Sequence, residues 1–260
     1  MAIKRQAWSI LGSSSAFAEV RPVADVIQTA NDPSLFPVAE AQSADVIRQD
    51  DEFVLYRAKR RDAPSRLFLT PLSTRPTAET LEKVEHEYSL RDALNSAWAI
   101  RPVALSQRHG KPTLELEDPG GETLDRLLRG PMEVTQFLRI AIGLATALKQ
   151  LHQRQLIHKD IKPSNILVDP SSDQIWLTGF GIASRVPRER QLPTPPEFIA
   201  GTLSYMAPEQ TGRMNRSIDS RSDLYSMGVV LYEMLTGTLP FPASDPMELV
   251  HAHIAQQPVP

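Results

Sequence analysis

The stretch that decides the fold is residues 158–165, which read HKDIKPSN. It follows a segment whose apolar residues recur at three- and four-residue steps, which predicts a helix over 132–152. Phosphoryl transfer needs a carboxylate to orient the attacking hydroxyl and take its proton, a cation for the transferred phosphoryl group, and an oxygen ligand for magnesium. Asp160, Lys162 and Asn165 are residues of these three kinds, in this order. The stretch therefore predicts the catalytic loop of a phosphotransferase, with Asn165 as a metal ligand.

Two downstream motifs accompany this loop: residues 179–181 read GFG and residues 207–209 read APE. Together with the loop they make the chain resemble protein kinases. It looks most like the N-terminal Ser/Thr kinase-like domain of large bacterial signalling proteins that also contain an ATPase-like segment and a sensor histidine kinase. The stretches 177–185 and 201–221 carry this narrower resemblance, which covers about residues 46–260.

The resemblance implies an α+β, two-lobed protein-kinase-like fold. Residues 46–117 are expected to form a small β-rich N-lobe and residues 118–260 a helical C-lobe, after a leader or irregular segment over 1–45. A kinase C-lobe normally continues with further helices, so the C-lobe is expected to be incomplete after Pro260 and the chain to be a fragment or a truncated gene product. One of those helices carries the arginine that pairs with the glutamate matched by Glu209, so Glu209 is expected to be unpaired.

Local patterns predict the elements of the N-lobe. Strand-forming residues over 52–58 and 66–70 flank a turn and predict an antiparallel pair. A second pair is predicted over 98–105 and 113–116. Between the pairs, Thr77 is expected to cap a helix, because acidic residues follow it and apolar residues recur with helical spacing.

Further residues gain roles from the resemblance alone. Glu87 matches the helix glutamate that pairs with an ATP-contacting lysine, and Glu117 and Asp118 match the hinge that holds adenine. Thr202 matches the activation-segment threonine that helps set Ser/Thr acceptance, and Asp223 matches the aspartate that braces the catalytic loop. Without the resemblance, Glu87 and Asp118 are equally well explained as solvated surface charges.

The phosphate-binding machinery departs from the kinase pattern in three places. No glycine occurs between Gly12 and Gly110, so the Gly-rich phosphate loop is absent, and residues 49–52, three of them acidic, stand there instead. Thr70 occupies the position of the ATP-contacting lysine. Gly179 occupies the position of the magnesium-binding aspartate and has no side-chain oxygen.

These losses favour a pseudokinase or very weak kinase that acts as a regulatory or interaction module in a sensor multi-kinase of the two-component type. Each lost electrostatic group costs roughly 3–4 kcal/mol in the transition state, so two losses slow transfer on the order of 10⁴-fold or more. The alternative is an active Ser/Thr protein kinase that transfers the ATP γ-phosphate to protein Ser/Thr with displaced residues. ATP and magnesium are cofactors if the domain is active, and none is needed otherwise. Thr202 and Glu209 disfavour a third class, the small-molecule kinases of the same fold.

The amino-acid composition restricts the partners and the cellular compartment that we expect for the protein. The 260 residues include 28 Lys+Arg, 31 Asp+Glu and no cysteine, for a formal net charge of -3. This balance gives no general attraction to nucleic acid. The lack of cysteine excludes disulfides and thiolate metal sites and fits the cytoplasm. No apolar run reaches the roughly 18–20 residues of a transmembrane helix. The expected partners are a protein substrate or adjacent signalling domains of a longer chain.

Overall fold

The computed structural model describes residues 41–60, 63–108, 110–185, 203–214, 216–243 and 245–259. The predicted leader over 1–45 lies outside these ranges up to residue 40, and Thr202 lies outside them as well. Within the ranges described, no helix is long and apolar enough to cross a membrane.

The first half of the described chain folds into one antiparallel sheet. Its strands are β1 (Ala41–Gln49), β2 (Phe53–Arg60), β3 (Arg66–Pro71), β4 (Pro102–Arg108) and β5 (Lys111–Glu117). They lie in the order β1-β2-β3-β5-β4, with Val54 opposite Thr70. Both predicted antiparallel pairs are confirmed. The sequence patterns do not predict β1, because its only large apolar side chains are Val46 and Ile47.

Helix α1 (Ala78–Ser89) connects β3 to the second strand pair. The hydroxyl oxygen of Thr77 accepts the backbone N–H of Thr80 at 3.2 Å, so the predicted N-terminal cap is confirmed. Val84 and Glu87 lie on the buried side of the helix. The same face that packs against the sheet therefore also carries a carboxylate into the protein interior.

The second half of the described chain is mainly helical. Its helices are α2 (Leu124–Leu127), α3 (Val134–Gln153), α4 (Ser220–Thr236) and α5 (Pro246–Ala255). Short strands lie among them: β6 (Glu122–Thr123), β8 (Ile166–Val168) and β9 (Ile175–Leu177) form one sheet, and β7 (Leu156–Ile157) pairs with β10 (Ser184–Arg185). The helix predicted over 132–152 is α3. The predicted α+β fold, with a β-rich first lobe and a helical second lobe, is confirmed.

The apolar periodicity of α3 forms the centre of the helical lobe. Ile140, Leu144 and Leu151 are fully buried, and they share a core with Val230 and Met234 of α4. This packing fixes the end of α3, from which the chain passes through β7 into residues 158–165.

Apolar side chains also fill the region between the two lobes. Leu67 of β3 and Leu116 of β5 belong to the same buried cluster as Leu167 of β8 and Trp176 of β9. Leu67, Leu116 and Leu167 each have 0% exposure. The two lobes therefore meet through a continuous apolar layer, and residues 158–165 lie next to it because they precede β8 directly.

Candidate active site

The catalytic loop brings its three predicted residues together. The Nζ atom of Lys162 lies 2.9 Å from Oδ2 of Asp160. The Nδ2 atom of Asn165 donates to the same oxygen at 2.7 Å and to the backbone carbonyl of Asp160 at 2.8 Å. Burial opposes ionisation of Asp160, but the charge and hydrogen bond of Lys162 and the charges of His158 and Arg48 together outweigh burial, so the pKa of this carboxyl lies below its usual value. Asp160 is therefore held as a carboxylate beside a cation.

The carboxylate of Asp223, at the start of α4, holds the catalytic loop through hydrogen bonds, as the resemblance implies. Its Oδ2 accepts the backbone N–H of His158 at 2.9 Å and lies 2.8 Å from Nε2 of His152. Its Oδ1 accepts the backbone N–H of Lys159 at 2.8 Å. Lys159 has a φ of 69°, in the left-handed region, and Gln210 donates to its carbonyl at 2.8 Å. These hydrogen bonds hold a strained loop conformation in place.

Glu87 of α1 also reaches the site and is not a solvated charge. Its exposure is 2%, and its carboxylate accepts hydrogen bonds from the backbone amides of Phe180 and Gly179. Its Oε1 atom has no hydrogen-bond partner. Burial raises the pKa of Glu87 to about 7, although the positive charge of Arg48 and the two amides oppose this.

The cation whose charge acts on Glu87 is Arg48 of β1, which the sequence analysis missed. The side chain of Arg48 is 8% exposed, and its Nε lies 3.8 Å from Oδ2 of Asp50. Its Nη1 donates to Oδ1 of Asn165. Its charge also acts on Asp160. One signal could have found it: Arg48, Asp50 and Phe53 have the spacing of the three glycines in the kinase G-x-G-x-x-G loop.

Residues 48–53, which we call the phosphate roof, form the tight turn between β1 and β2. The Oδ1 atom of Asp50 accepts the backbone N–H groups of Glu52 at 3.0 Å and Phe53 at 2.7 Å. In a kinase, the corresponding loop covers the phosphates of ATP. Here a carboxylate of the turn itself binds these amides, so they are not available to a phosphate.

Strand β3 supplies no lysine to the site. Side chains alternate between the faces of a strand. Leu67 and Leu69 join the buried cluster that contains Val84 of α1, whereas the hydroxyl of Thr70 donates to the carbonyl of Pro112 at 3.4 Å. This corrects the prediction for Thr70 by one residue: Leu69 is the side chain that faces α1, and it has no donor for a phosphate.

Two other lysines near the site are bound elsewhere. Lys83 of α1 lies 2.8 Å from Oε2 of Glu52 and 3.2 Å from Oε1 of Glu79. Lys111 donates to the carbonyls of Pro71 and Leu72 at 3.1 and 2.8 Å. Neither lysine replaces the missing one.

Gly179 leaves the site without its main metal ligand. Magnesium in proteins prefers near-octahedral oxygen coordination through one or two carboxylates. Gly179 has a φ of +81°, and a Cβ atom there would lie 2.7 Å from Oδ1 of Asn165. That oxygen already accepts a hydrogen bond from Arg48. Position 179 thus supplies no carboxylate, and the asparagine oxygen is taken by Arg48, so these residues do not fit a magnesium ion.

The hinge carboxylates are bound within the protein. Asp118 is 1% exposed at its side chain and forms a two-point ion pair with Arg57 of β2, at 2.8 and 3.0 Å. Burial opposes its charge, but Arg57 and the hydrogen bonds from Ser65 and the backbone of Gly120 together outweigh burial and lower the pKa of Asp118. Glu117 accepts a hydrogen bond from Ser96 and lies 3.4 Å from Arg101. Both residues stabilise the connection between the lobes, and the prediction that they hold adenine stays a prediction.

The activation segment contributes two of the predicted residues, Thr202 and Glu209. Thr202 lies outside the described part of the chain. Glu209 accepts a hydrogen bond from the hydroxyl of Ser222 at 2.6 Å. The start of α4 therefore supplies a hydroxyl donor to Glu209, and the expectation that this glutamate lacks its arginine partner stays a prediction.

Comparison with known proteins agrees with this geometry. The family model for the protein kinase domain matches residues 62–259, a match that begins after the phosphate roof. Serine/threonine-protein kinase PknB of Mycobacterium leprae is 35% identical over 151 residues, which are 57% of this chain and 24% of that protein. Serine/threonine-protein kinase pkn2 of Myxococcus xanthus is 33% identical over 183 residues, which are 69% of this chain and 22% of that protein. The alignments thus span about a quarter of these relatives' length. The chain belongs to the protein kinase domain family.

Proposed function

We propose that this domain is a pseudokinase or a very weak kinase that acts as a regulatory or interaction module in a larger signalling protein. The observation that carries the proposal is the contact of Arg48 with Oδ1 of Asn165, since this is the oxygen that a kinase offers to magnesium. The groups that handle an acceptor hydroxyl are present in Asp160 and Lys162. The groups that hold ATP and its metal are absent or bound to the protein.

The expected loss of catalytic rate supports the proposal of a pseudokinase or very weak kinase. Magnesium bridges the β- and γ-phosphates and neutralises the charge that develops during transfer. Removal of one such preorganised group costs roughly 3–4 kcal/mol, which is a factor of several hundred in rate. Gly179 and the lysine-free β3 are two independent losses of this kind. Kinases turn over at roughly 1–100 per second, so a domain with both losses is a poor enzyme.

An active Ser/Thr protein kinase is the second candidate, and two observations favour it. The catalytic loop is preformed, with Asp160 beside Lys162 and Asn165. Arg48 also brings a positive charge near Glu87 from a non-standard strand, as an ATP-contacting lysine does. For transfer, however, Arg48 would have to release Asn165 to a metal that Gly179 cannot help to bind. We therefore rank this candidate second.

The setting of the domain follows from the same proposal. In relatives that carry the name serine/threonine-protein kinase, the aligned part is 22–34% of the whole protein. We infer that this domain likewise acts on adjacent signalling domains of a longer cytoplasmic protein, of the kind that ends in a sensor histidine kinase. If it retains activity, its substrate is a protein serine or threonine, and ATP with magnesium is the donor.

Phosphate transfer from radiolabelled ATP tests the proposal directly. The full chain is incubated with magnesium and a generic Ser/Thr protein substrate, and label is measured in both proteins. We expect the wild-type signal to equal that of Asp160→Asn, because the ATP clamp is missing. Asp92→Asn, the same chemical change at an exposed position, is the matched control. A wild-type rate of roughly 1–100 per second, the range of active kinases, that Asp160→Asn abolishes and Asp92→Asn retains would establish the active kinase instead.

A further inference from the structure

The polar groups that surround metal and phosphate in a kinase converge on Arg48. Its guanidinium donates to Oδ1 of Asn165 and lies 3.8 Å from a carboxylate oxygen of Asp50. Its charge acts on Glu87 and on Asp160. A single side chain thus contacts the metal-ligand asparagine, and its charge acts on the glutamate that normally pairs with a lysine.

The charges of the site require such a cation. Buried carboxylates are stable in a protein only when they are paired or hydrogen-bonded. Asp160 is paired with Lys162 at 2.9 Å. Glu87 is 2% exposed, and Arg48 is the only charged group found to act on it in the described part of the chain. Without Arg48, Glu87 would be an uncompensated buried carboxyl group.

The side-chain oxygen that would bind a metal is also occupied while Arg48 is in place. Oδ1 of Asn165 is directed to Arg48. Any side chain at position 179 would meet that oxygen, since a Cβ atom there lies 2.7 Å from it. The two differences from kinases are therefore complementary. Gly179, in place of the magnesium-binding aspartate, leaves space for the Asn165 side chain, and Arg48 binds that side chain.

We propose that Arg48 is a permanent cation of the site between the two lobes. It takes the place of the magnesium ion at Asn165 and neutralises Glu87, so that this cleft needs no divalent metal and binds none there. This deepens the proposed function and rests on it, because a cleft without metal cannot transfer phosphate by the kinase route. Its tests measure metal binding and stability, so its failure is distinguishable from the failure of the proposed function.

Metal binding to the wild-type full chain is the first test, with Mn²⁺ as the probe for magnesium. Free Mn²⁺ is measured by electron paramagnetic resonance with and without ADP. We expect no bound Mn²⁺ beyond that held by ADP alone, and the same unfolding temperature in magnesium and in EDTA. One saturable Mn²⁺ site that Asn165→Ala removes would overturn the inference. If such a site formed without phosphate transfer, the proposed function would still stand.

Coupling between Arg48 and Glu87 is the second test. At pH 8, where the Glu87 carboxyl group is ionised, we expect Arg48→Met to lower the unfolding temperature by roughly 5–15 °C, since it leaves a buried carboxylate without a cation. In the Glu87→Gln background, which removes that charge, the same change should have a clearly smaller effect. Arg139→Met, at an exposed ion pair of α3, is the matched control. Equal effects of Arg48→Met in both backgrounds would overturn the inference. If Arg48→Met does not fold, Arg48→Lys is compared in the two backgrounds in the same way.

Discussion

The catalytic loop and the phosphate roof are close to each other in this domain, but they have diverged from the kinase pattern to very different degrees. In the loop, residues 158–165 keep their internal contacts, and Asp223 accepts two backbone N–H groups from them. In the roof, residues 48–53 bind the protein instead of a nucleotide: Asp50 accepts the turn's own amides and Arg48 binds Asn165. A preformed catalytic loop is therefore no measure of the capacity to hold ATP, which depends on the roof.

Asp223→Ala should cause the largest loss of stability. It removes the carboxylate that holds the catalytic loop, the region that has diverged less from the kinase pattern. The carboxylate is 0% exposed and accepts hydrogen bonds from the backbone of His158 and Lys159. We expect a loss of about 3–5 kcal/mol in the free energy of unfolding, since buried donors lose a charged acceptor. Urea denaturation measures the loss.

Asp223→Asn serves as the control for that change. It keeps the size of the side chain and one acceptor oxygen, so it should cost less than the alanine variant. If both variants cost under about 1 kcal/mol, a typical value for a single net hydrogen bond, the catalytic loop is not held by Asp223, and the contrast with the roof is lost.

Glu87→Gln should change how stability depends on pH. The pKa of Glu87 is raised by burial from 4.5 to about 7, so the folded state keeps a proton that the unfolded state releases. Its contribution to stability is therefore full below pH 4.5 and is lost as the pH rises to about 7. We expect the difference between variant and wild type to shift in favour of the variant by about 3 kcal/mol over this window.

Urea denaturation of both proteins at several pH values measures this shift. Only the difference between them is used, because other groups titrate in both. Glu115→Gln, at a partly exposed ion pair of β5 with Arg66, is the control and should give a much smaller change. A constant difference between Glu87→Gln and wild type would mean that Arg48 keeps Glu87 ionised, as in a kinase with its lysine.

The sequence predicted the loop much better than the roof, and the reason is physical. The roles of Asp160, Lys162 and Asn165 depend on residues that are neighbours in the chain, and their contacts are found as expected. Arg48 and Asn165 are 117 residues apart, and nothing local indicates that they meet.

Burial of charged side chains was the second feature that the sequence did not predict. Glu87 and Asp118 are charged residues that the pattern alone cannot assign to surface or interior, and only the tertiary structure shows both to be buried. Thr70 illustrates a third limit. A strand has a side-chain period of two residues, so a shift of one position exchanges the faces of Leu69 and Thr70.

Lys83→Met should have the smallest effect, because it tests the outer edge of the roof. Hydrogen bonds to Glu52 and Glu79 outweigh the burial that opposes its charge, and they raise the pKa of Lys83. Its contribution is thus fully present at neutral pH and is lost only as the pH rises above the ordinary value of 10.5. The pair is partly solvent-exposed, so we expect a loss of about 0–1 kcal/mol that shrinks further at high salt. Lys149→Met, at an exposed position of α3, is the matched control in the same urea titration. A loss as large as that of Asp223→Ala would mean that the roof is held as firmly as the catalytic loop, and that its closure is part of the stable fold.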